Sequence, residues 1–182
     1  VSYFFKNNNN NILGYELINE PWPGDVFKNP LLLLPKYGDY HNLQPLYKKL
    51  IKTIRQIDKD TPILYESITW DWTQVGFDSV LDNNSILSYH YYDPPQFSVD
   101  LLLSQRNKDL TRLNSSGILT EFELTHNKEN DLQLLNKVDY YRQSWCYWQY
   151  KDFYNITGDN NAFFNNDGSL SRMSPRYFDR RC

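Results

Sequence analysis

The sequence predicts an α/β fold in which the strands of a parallel sheet alternate with helices. Short apolar runs rich in β-branched and aromatic residues recur along the chain, as expected for buried strands. Segments whose apolar residues are spaced three or four positions apart lie between several of these runs, as expected for amphipathic helices. Such alternation is typical of parallel sheets whose strands are joined by right-handed crossovers.

The predicted strands are short, and turn-forming residues follow them. They cover residues 12–18, 63–68, 86–92, 117–122 and 144–150. Pro21 follows the first strand closely, and Pro94 and Pro95 follow the third. Proline lacks the N–H group that a sheet ladder needs, so these prolines indicate where the strands end.

Three helices are predicted between the strands. The clearest covers residues 43–57, where the lysines and arginines fall between apolar residues at helical spacing. A second clear helix covers residues 132–141, and a third is expected over residues 99–113. The apolar positions of the first helix are Leu43, Leu46, Tyr47, Leu50, Ile51, Ile54 and Ile57.

Polar and aromatic side chains collect at the C-terminal ends of the predicted strands. They are Asn19, Glu20, Glu66, His90, Tyr92, Glu121 and Trp148. Functional residues that come from many strand ends on one face are typical of a (β/α)8 TIM barrel. No glycine-rich phosphate loop follows any predicted strand, which weighs against a nucleotide-binding sheet.

Composition narrows the classes of partner. The chain has 182 residues, with 19 basic and 22 acidic side chains and a formal charge of −3, and no basic stripe. Nucleic acid is therefore not expected as a partner. No apolar run approaches the ~18 residues that span a bilayer, so no transmembrane segment is expected. Aromatic residues make up 16%, and aromatic faces serve both as sugar or lipid platforms and as core residues.

The cysteines, the N-glycosylation sequons and the first residue of the chain bear on the cellular compartment and on whether the chain is a fragment. Cys146 and Cys182 form neither a metal-ligand spacing nor a disulfide framework, and Cys146 is expected to be a buried small hydrophobe. Sequons at Asn83, Asn114 and Asn155 favour a secreted or lysosomal glycoprotein. Because the chain starts with Val in mid-pattern, we expect it to be a fragment of a longer protein.

Glu20 and Glu121 are the natural pair of functional carboxylates. They lie at the ends of the first and fourth predicted strands. Burying an ionised carboxylate is costly unless it is paired or its pKa shifts, so carboxylates at these positions suggest a functional site. Two carboxylates on one barrel rim suit glycoside hydrolysis, where one donates a proton and the other attacks or activates water. Glu123 is an alternative to Glu121, because residues two apart on a strand point to the same side.

Four motifs in this order resemble glycoside hydrolase family 5. They are Asn19-Glu20-Pro21, His90-x-Tyr92, Thr120-Glu121-Phe122 and the segment SWCYWQYKDF at residues 144–153. Within the family, the segments GYELINEPWPGD, NLQPLYKKLIKTIRQID and ILYESITW are similar to endoglycoceramidase-type members. Those enzymes cleave glycosphingolipids, either between glycan and ceramide or between glucose and ceramide. The resemblance extends from residue 11 to about residue 170.

The resemblance implies a role for each matching residue. Glu20 matches the acid/base and Glu121 the nucleophile of a retaining, double-displacement mechanism. Asn19 matches the amide that holds the sugar 2-hydroxyl.

Four further residues match substrate-binding positions of the family. His90 and Tyr92 match a pair that lines the site of the cleaved sugar, with Tyr92 placed to hydrogen-bond the nucleophile. Trp148 matches the aromatic floor under that sugar, and Lys151 is a candidate contact for a sugar hydroxyl. The resemblance implies a glycolipid or carbohydrate substrate and allows a peripheral contact with membrane lipid. No cofactor is expected, and no metal site is expected because Asp25, Asp71 and Asp93 show no metal-ligand spacing.

The resemblance also implies that residues 1–182 form one partial catalytic domain, with about the last five barrel strands and their helices. We therefore expect the chain alone to be inactive. The sequence departs from the family at Glu123, where the family often has glycine.

Several alternatives remain open at this level. The protein could be a β-glucanase or β-mannanase of the same family, or a non-catalytic or inactive fragment that binds carbohydrate or lipid. Glu66 could bind sugar or pair with a cation. The run Leu31 to Leu34 could be buried in its loop or line a groove for a lipid chain.

Overall fold

Five parallel strands form one sheet in the part of the chain that the structure describes. A computed structural model describes residues 2–6, 11–69, 73–92, 98–123, 128–151 and 162–171. The strands are β1 (Tyr15–Glu16), β2 (Ile63–Glu66), β3 (Ser85–Tyr91), β4 (Ser116–Phe122) and β5 (Ser144–Trp145).

The strands lie side by side in the order in which they occur along the chain. A doubly wound sheet reverses its strand order at a switch point, whereas a barrel adds each strand to the same edge. Thr120 Oγ1 on β4 donates to Glu16 Oε1 on β1 at 3.1 Å, although two strands lie between them. This contact across the concave face shows that the sheet is strongly curved. Order and curvature are those of one sector of a (β/α)8 barrel.

The helices are α1 (Ser2–Lys6), α2 (Gln44–Arg55), α3 (Val99–Leu113) and α4 (Lys128–Tyr140). The third has the bounds that the sequence predicts. It begins where the Ser98 side chain accepts a hydrogen bond from the Leu101 N–H, and it ends at Asn114, which has a left-handed conformation. The helix expected over 43–57 is preceded by a π-helical turn, Asp39–Leu43, and α4 begins four residues earlier than expected.

Two clusters of buried residues join the helices to the sheet. One includes Tyr47 of α2 with Ile63 and Tyr65 of β2. The other includes Leu103 of α3, Leu119 of β4 and Val138 of α4. Burial of these side chains fixes the strands, and therefore fixes where their C-terminal ends lie.

The first and last strands are shorter than the sequence predicts. β1 continues past its two paired residues only through the Leu17 N–H, which donates to Leu64 O, and the chain then bends away at Asn19 and Glu20. After β5, the Cys146 and Trp148 N–H groups still donate to carbonyls of β4.

The expected alternation of side chains persists beyond β5. Cys146 and Trp148 are exposed on one side, while Trp145 and Tyr147 pack on Phe122 on the other. The expectation of a buried Cys146 is therefore wrong, because this residue lies on the concave face that the sheet leaves open.

No helix in the described residues is long and apolar enough to cross a membrane.

Candidate active site

Glu20 lies in a bend beyond β1 and not at the tip of a buried strand. Its side chain is 43% exposed, so the expectation of a buried strand-end carboxylate is wrong. Its φ angle of 45° lies in the left-handed region, which is rare for residues other than glycine. Pro21 follows, and a residue before proline is disfavoured in the right-handed helical region.

Two contacts hold Glu20 in this conformation. Its backbone N–H donates to Glu66 Oε2 at 2.8 Å. Its Oε1 lies 3.0 Å from His90 Nδ1. The backbone and the carboxylate of Glu20 are thus both fixed by side chains from neighbouring strands.

Glu121 lies near the C-terminal end of β4, beside His90 of β3. The ladder between these strands shifts register at Tyr89 and His90, which brings His90 opposite Glu121. The Tyr92 hydroxyl donates to Glu121 Oε2 at 2.8 Å. Burial, and then the hydrogen bond to Glu121, raise the pKa of Tyr92 well above its usual value, so Tyr92 remains a neutral donor.

The two carboxylates and the imidazole form one compact group. One oxygen of Glu20, one of Glu121 and a His90 nitrogen all lie within 4.8 Å of one another. His90 Nδ1 lies 3.6 Å from Glu121 Oε2. His90 is only 4% exposed, so it supports the two glutamates from below and does not line the cleft as the resemblance implied.

Carboxylate oxygens and imidazole nitrogens are also the donors that divalent cations accept. Glu20, His90 and Glu121 could therefore hold an ion by geometry alone. The hydrogen bonds of Glu20 to His90 and of Tyr92 to Glu121 account for the same arrangement without one.

An open cleft of about 390 Å³ lies above this group, a size suited to a small ligand. The Trp148 side chain is 46% exposed and faces this space. The cleft is lined by Asn19, Glu20, Tyr92, Glu121, Glu123, Trp148, Gln149 and Ala162.

Five of the seven residues proposed from the sequence therefore meet at one cleft, and a sixth, His90, lies beneath it. Lys151 does not line the cleft; it forms an isolated bridge with Phe164. Sequence reasoning did not select Gln149, although it lies within the motif at residues 144–153, or Ala162, which lies in no motif. It also left Glu123 as an alternative nucleophile, and the structure places Glu123 in the cleft wall while Tyr92 binds Glu121.

Glu66 of β2 is a third carboxylate beneath the cleft. It is 1% exposed, accepts from Thr69 Oγ1 at 3.1 Å, and has Oε1 3.7 Å from His90 Nδ1. Burial raises the pKa of Glu66 to about 7. Of the two roles left open from the sequence, direct sugar binding does not fit a residue that is absent from the cleft wall.

The loop between β1 and α2 exposes several large apolar side chains. The run Leu31 to Leu34 lies in and beside a 3₁₀ helix, Pro30–Leu33; Leu32 is 4% exposed and the other three about half-exposed. Trp22 and Phe27 of the same loop are 61% and 95% exposed. The run is therefore neither wholly buried nor wholly free, and its exposed leucines add to an apolar loop surface.

Comparison with known proteins identifies the family of the chain and agrees with its fold. The family model described as cellulase, glycosyl hydrolase family 5, matches residues 2–154. An endoglycoceramidase from Hydra vulgaris is 46% identical over 148 residues, and one from Cyanea nozakii is 40% identical over 151 residues. Each match covers 78% of this chain and only 29% or 30% of the relative, so the chain spans less than a third of these relatives.

Solved structures show the same fold. Endo-glycoceramidase II from Rhodococcus sp. superimposes with a TM-score of 0.77 at 17% identity, covering 96% of this chain and 42% of that one. Its complex with ganglioside GM3 gives a TM-score of 0.78 at 16% identity. An endoglucanase gives 0.66 at 15% identity. The prediction of a partial (β/α)8 barrel is confirmed, and the chain belongs to glycosyl hydrolase family 5.

Proposed function

We propose that the protein containing this chain is a retaining glycoside hydrolase that cleaves the β-glycosidic bond of glycosphingolipids. The observation that carries the proposal is the spacing of Glu20 and Glu121, whose nearest oxygens lie within 4.8 Å. Carboxyl groups about 5 Å apart leave no room for a water between the second carboxylate and the anomeric carbon, so that carboxylate attacks directly, whereas inverting enzymes keep the two groups about 6.5–9.5 Å apart.

In the first step, Glu121 attacks the anomeric carbon while Glu20 protonates the oxygen of the leaving group. The bond from the sugar to that oxygen breaks as an ester bond to Glu121 forms. Tyr92 holds Glu121 Oε2 and so fixes the orientation of the nucleophile. His90 holds Glu20 Oε1 in the same way.

In the second step, Glu20 accepts a proton from water, and the resulting hydroxide displaces Glu121 from the sugar. Two inversions at the anomeric carbon give net retention. Asn19 and Trp148 line the same cleft and are suited to a sugar hydroxyl and a sugar face respectively. Lys151 is not among the residues that line the cleft, so its contact with substrate stays a prediction from the resemblance.

Two observations support a glycolipid substrate over a polysaccharide. The curated relatives are endoglycoceramidases at 46% and 40% identity. The loop that follows Glu20 exposes Trp22, Phe27 and three leucines, an apolar surface suited to a ceramide chain or a membrane. We propose that this loop surface contacts lipid while the sugar occupies the cleft.

Variants of the two glutamates test the mechanism in the complete protein. Glu121→Ala should abolish turnover, and azide should restore it by forming a glycosyl azide of inverted configuration. Glu20→Ala should keep activity only on substrates whose leaving group needs no proton. Glu123→Ala is the matched control and should retain turnover. If azide rescues Glu123→Ala and not Glu121→Ala, the nucleophile is misassigned.

The substrate is tested with glycolipid in vesicles and with a soluble aryl glycoside. Replacing Leu31, Leu33 and Leu34 by Ser should lower turnover of the vesicle substrate and leave the soluble substrate unaffected. Leu101→Ser, at an exposed position of α3, is the matched control. Strong activity on soluble cellulose or mannan with none on any glycosphingolipid would move the protein to the polysaccharide-cleaving branch.

A further inference from the structure

Glu66 is a buried carboxylate that the two-glutamate mechanism does not use. It ends β2, the strand between β1 and β3, and is 1% exposed. Its Oε2 accepts the backbone N–H of Glu20 at 2.8 Å, across 46 positions of sequence. Because this buried carboxylate accepts a hydrogen bond from the backbone of Glu20, the proposed acid/base, it is suited to positioning Glu20.

The conformation of Glu20 makes this contact important. A φ of 45° is unfavourable for a residue with a side chain, and such strain persists only where the surroundings impose it. The hydrogen bond to Glu66 lies at the strained residue itself. Since φ and ψ set the direction of the Cα–Cβ bond, fixing the Glu20 backbone also aims its carboxyl group into the cleft.

Glu66 is itself firmly held. Strand β2 pairs with a strand on each side. The Tyr47 hydroxyl of α2 donates to the backbone oxygen of Glu66 at 2.8 Å, and Thr69 Oγ1 donates to its Oε1 at 3.1 Å. Glu66 thus connects the bend at Glu20 to the packed interior of the sheet.

We propose that Glu66 is a positioning residue for the acid/base, acting through the hydrogen bond from the Glu20 backbone to Glu66 Oε2. The inference rests on the proposed function, because it assigns a consequence to the placement of Glu20. It requires the reach of the side chain and an acceptor oxygen, and it does not require a negative charge.

Reach and charge can be separated by substitution. Glu66→Gln keeps the length and one acceptor oxygen and removes the charge, and an amide resembles the neutral carboxyl that a pKa of about 7 makes accessible. Glu66→Asp keeps the charge, but its side chain is one methylene shorter and does not reach the backbone N–H of Glu20. The aspartate variant should therefore impair positioning, and the glutamine variant should preserve it.

The test measures kcat/KM in the complete protein on a glycolipid, whose leaving alcohol needs a proton, and on a dinitrophenyl glycoside, whose leaving group does not. Glu66→Asp should lose about tenfold to hundredfold on the glycolipid, since a displacement of about 1 Å can have an effect of this size. It should lose less than about threefold on the dinitrophenyl substrate. Glu66→Gln should remain within about threefold of the parent on both.

The proposal is overturned if Glu66→Gln loses as much as Glu66→Asp, because the reach and the acceptor oxygen that the Gln side chain keeps would then not be sufficient. It is also overturned if Glu66→Asp loses equally on both substrates. Glu66→Leu, of similar size but without an acceptor, should repeat the aspartate result if Glu66→Asp does not fold. If neither folds, Glu66 serves the fold and the positioning role is rejected.

Glu20→Ala separates this inference from the proposed function. Like Glu66→Asp, Glu20→Ala must lose more kcat/KM on the glycolipid than on the dinitrophenyl glycoside, and its loss on the glycolipid must be the larger of the two variants. If it does not, the acid/base assignment itself fails. If it does and Glu66→Asp does not, only the positioning role of Glu66 fails.

Discussion

Replacing Glu66 by Gln should remove a pH dependence from the stability of the protein. Burial raises the pKa of Glu66 from 4.5 to about 7, because the ionised form loses water that its few hydrogen bonds only partly replace. The folded state therefore holds this proton to a higher pH than the unfolded chain does. The stabilising contribution is complete below about pH 4.5 and is lost as the pH rises to about 7.

The size of the effect follows from the two pKa values. A rise from 4.5 to about 7 corresponds to about 3 kcal/mol in the free energy of unfolding. Glutamine does not titrate, so the Glu66→Gln variant does not lose this stability as the pH rises. The stability of the variant relative to the parent should increase by up to about 3 kcal/mol between acidic and neutral pH.

Urea unfolding of the parent and Glu66→Gln across this pH range measures the difference directly. Titratable groups far from position 66 cancel in the comparison, since they have the same surroundings in both proteins. A difference in unfolding free energy that stays constant with pH would refute the reasoning. It would mean that Glu66 is hydrated in the folded state or is fully compensated by a cation.

Three further expectations follow from particular contacts. Tyr92→Phe should lower kcat/KM by about tenfold to hundredfold, because it removes a hydrogen bond to the charged nucleophile; an unchanged value would contradict the role of Tyr92. Expressed alone, the 182-residue chain should be oligomeric by size-exclusion chromatography and inactive on an aryl glucoside, because β1 and β5 are edge strands of the described sheet. A soluble, active monomer would oppose this. In a secretory host, Asn114→Gln should remove a glycan that mass spectrometry detects, because Asn114 and Ser116 of its sequon are exposed. Asn83→Gln should remove none, because Ser85 of its sequon is buried and donates to Asp82 O.

The sequence predicted the parts of the fold that depend on local pattern. The helix expected over residues 99–113 has the bounds of α3. The alternation of side chains expected at residues 144–148 continues beyond the end of β5. The polar residues at strand ends predicted one common cleft, because parallel strands end at the same edge of a sheet.

Other features depend on contacts between distant segments and could not be predicted from local pattern. The backbone N–H of the left-handed Glu20 donates to Glu66. A register shift between β3 and β4 places His90 opposite Glu121. Cys146 has the pattern of a buried residue, and its exposure follows from the open concave face. Glu66 had a visible signal, a carboxylate that ends the apolar run Ile63 to Tyr65, but its partner lies 46 positions away.

The central claim is that Glu121 forms a covalent bond to the sugar during turnover. A 2-deoxy-2-fluoro glycoside with a good leaving group slows both steps and allows that ester to accumulate, so peptide mass spectrometry of the complete protein can locate it. The account predicts a sugar adduct on the peptide that contains Glu121, absent in Glu121→Gln and present in Glu123→Gln. An adduct on Glu123, or a product of inverted configuration with no adduct at all, would contradict it.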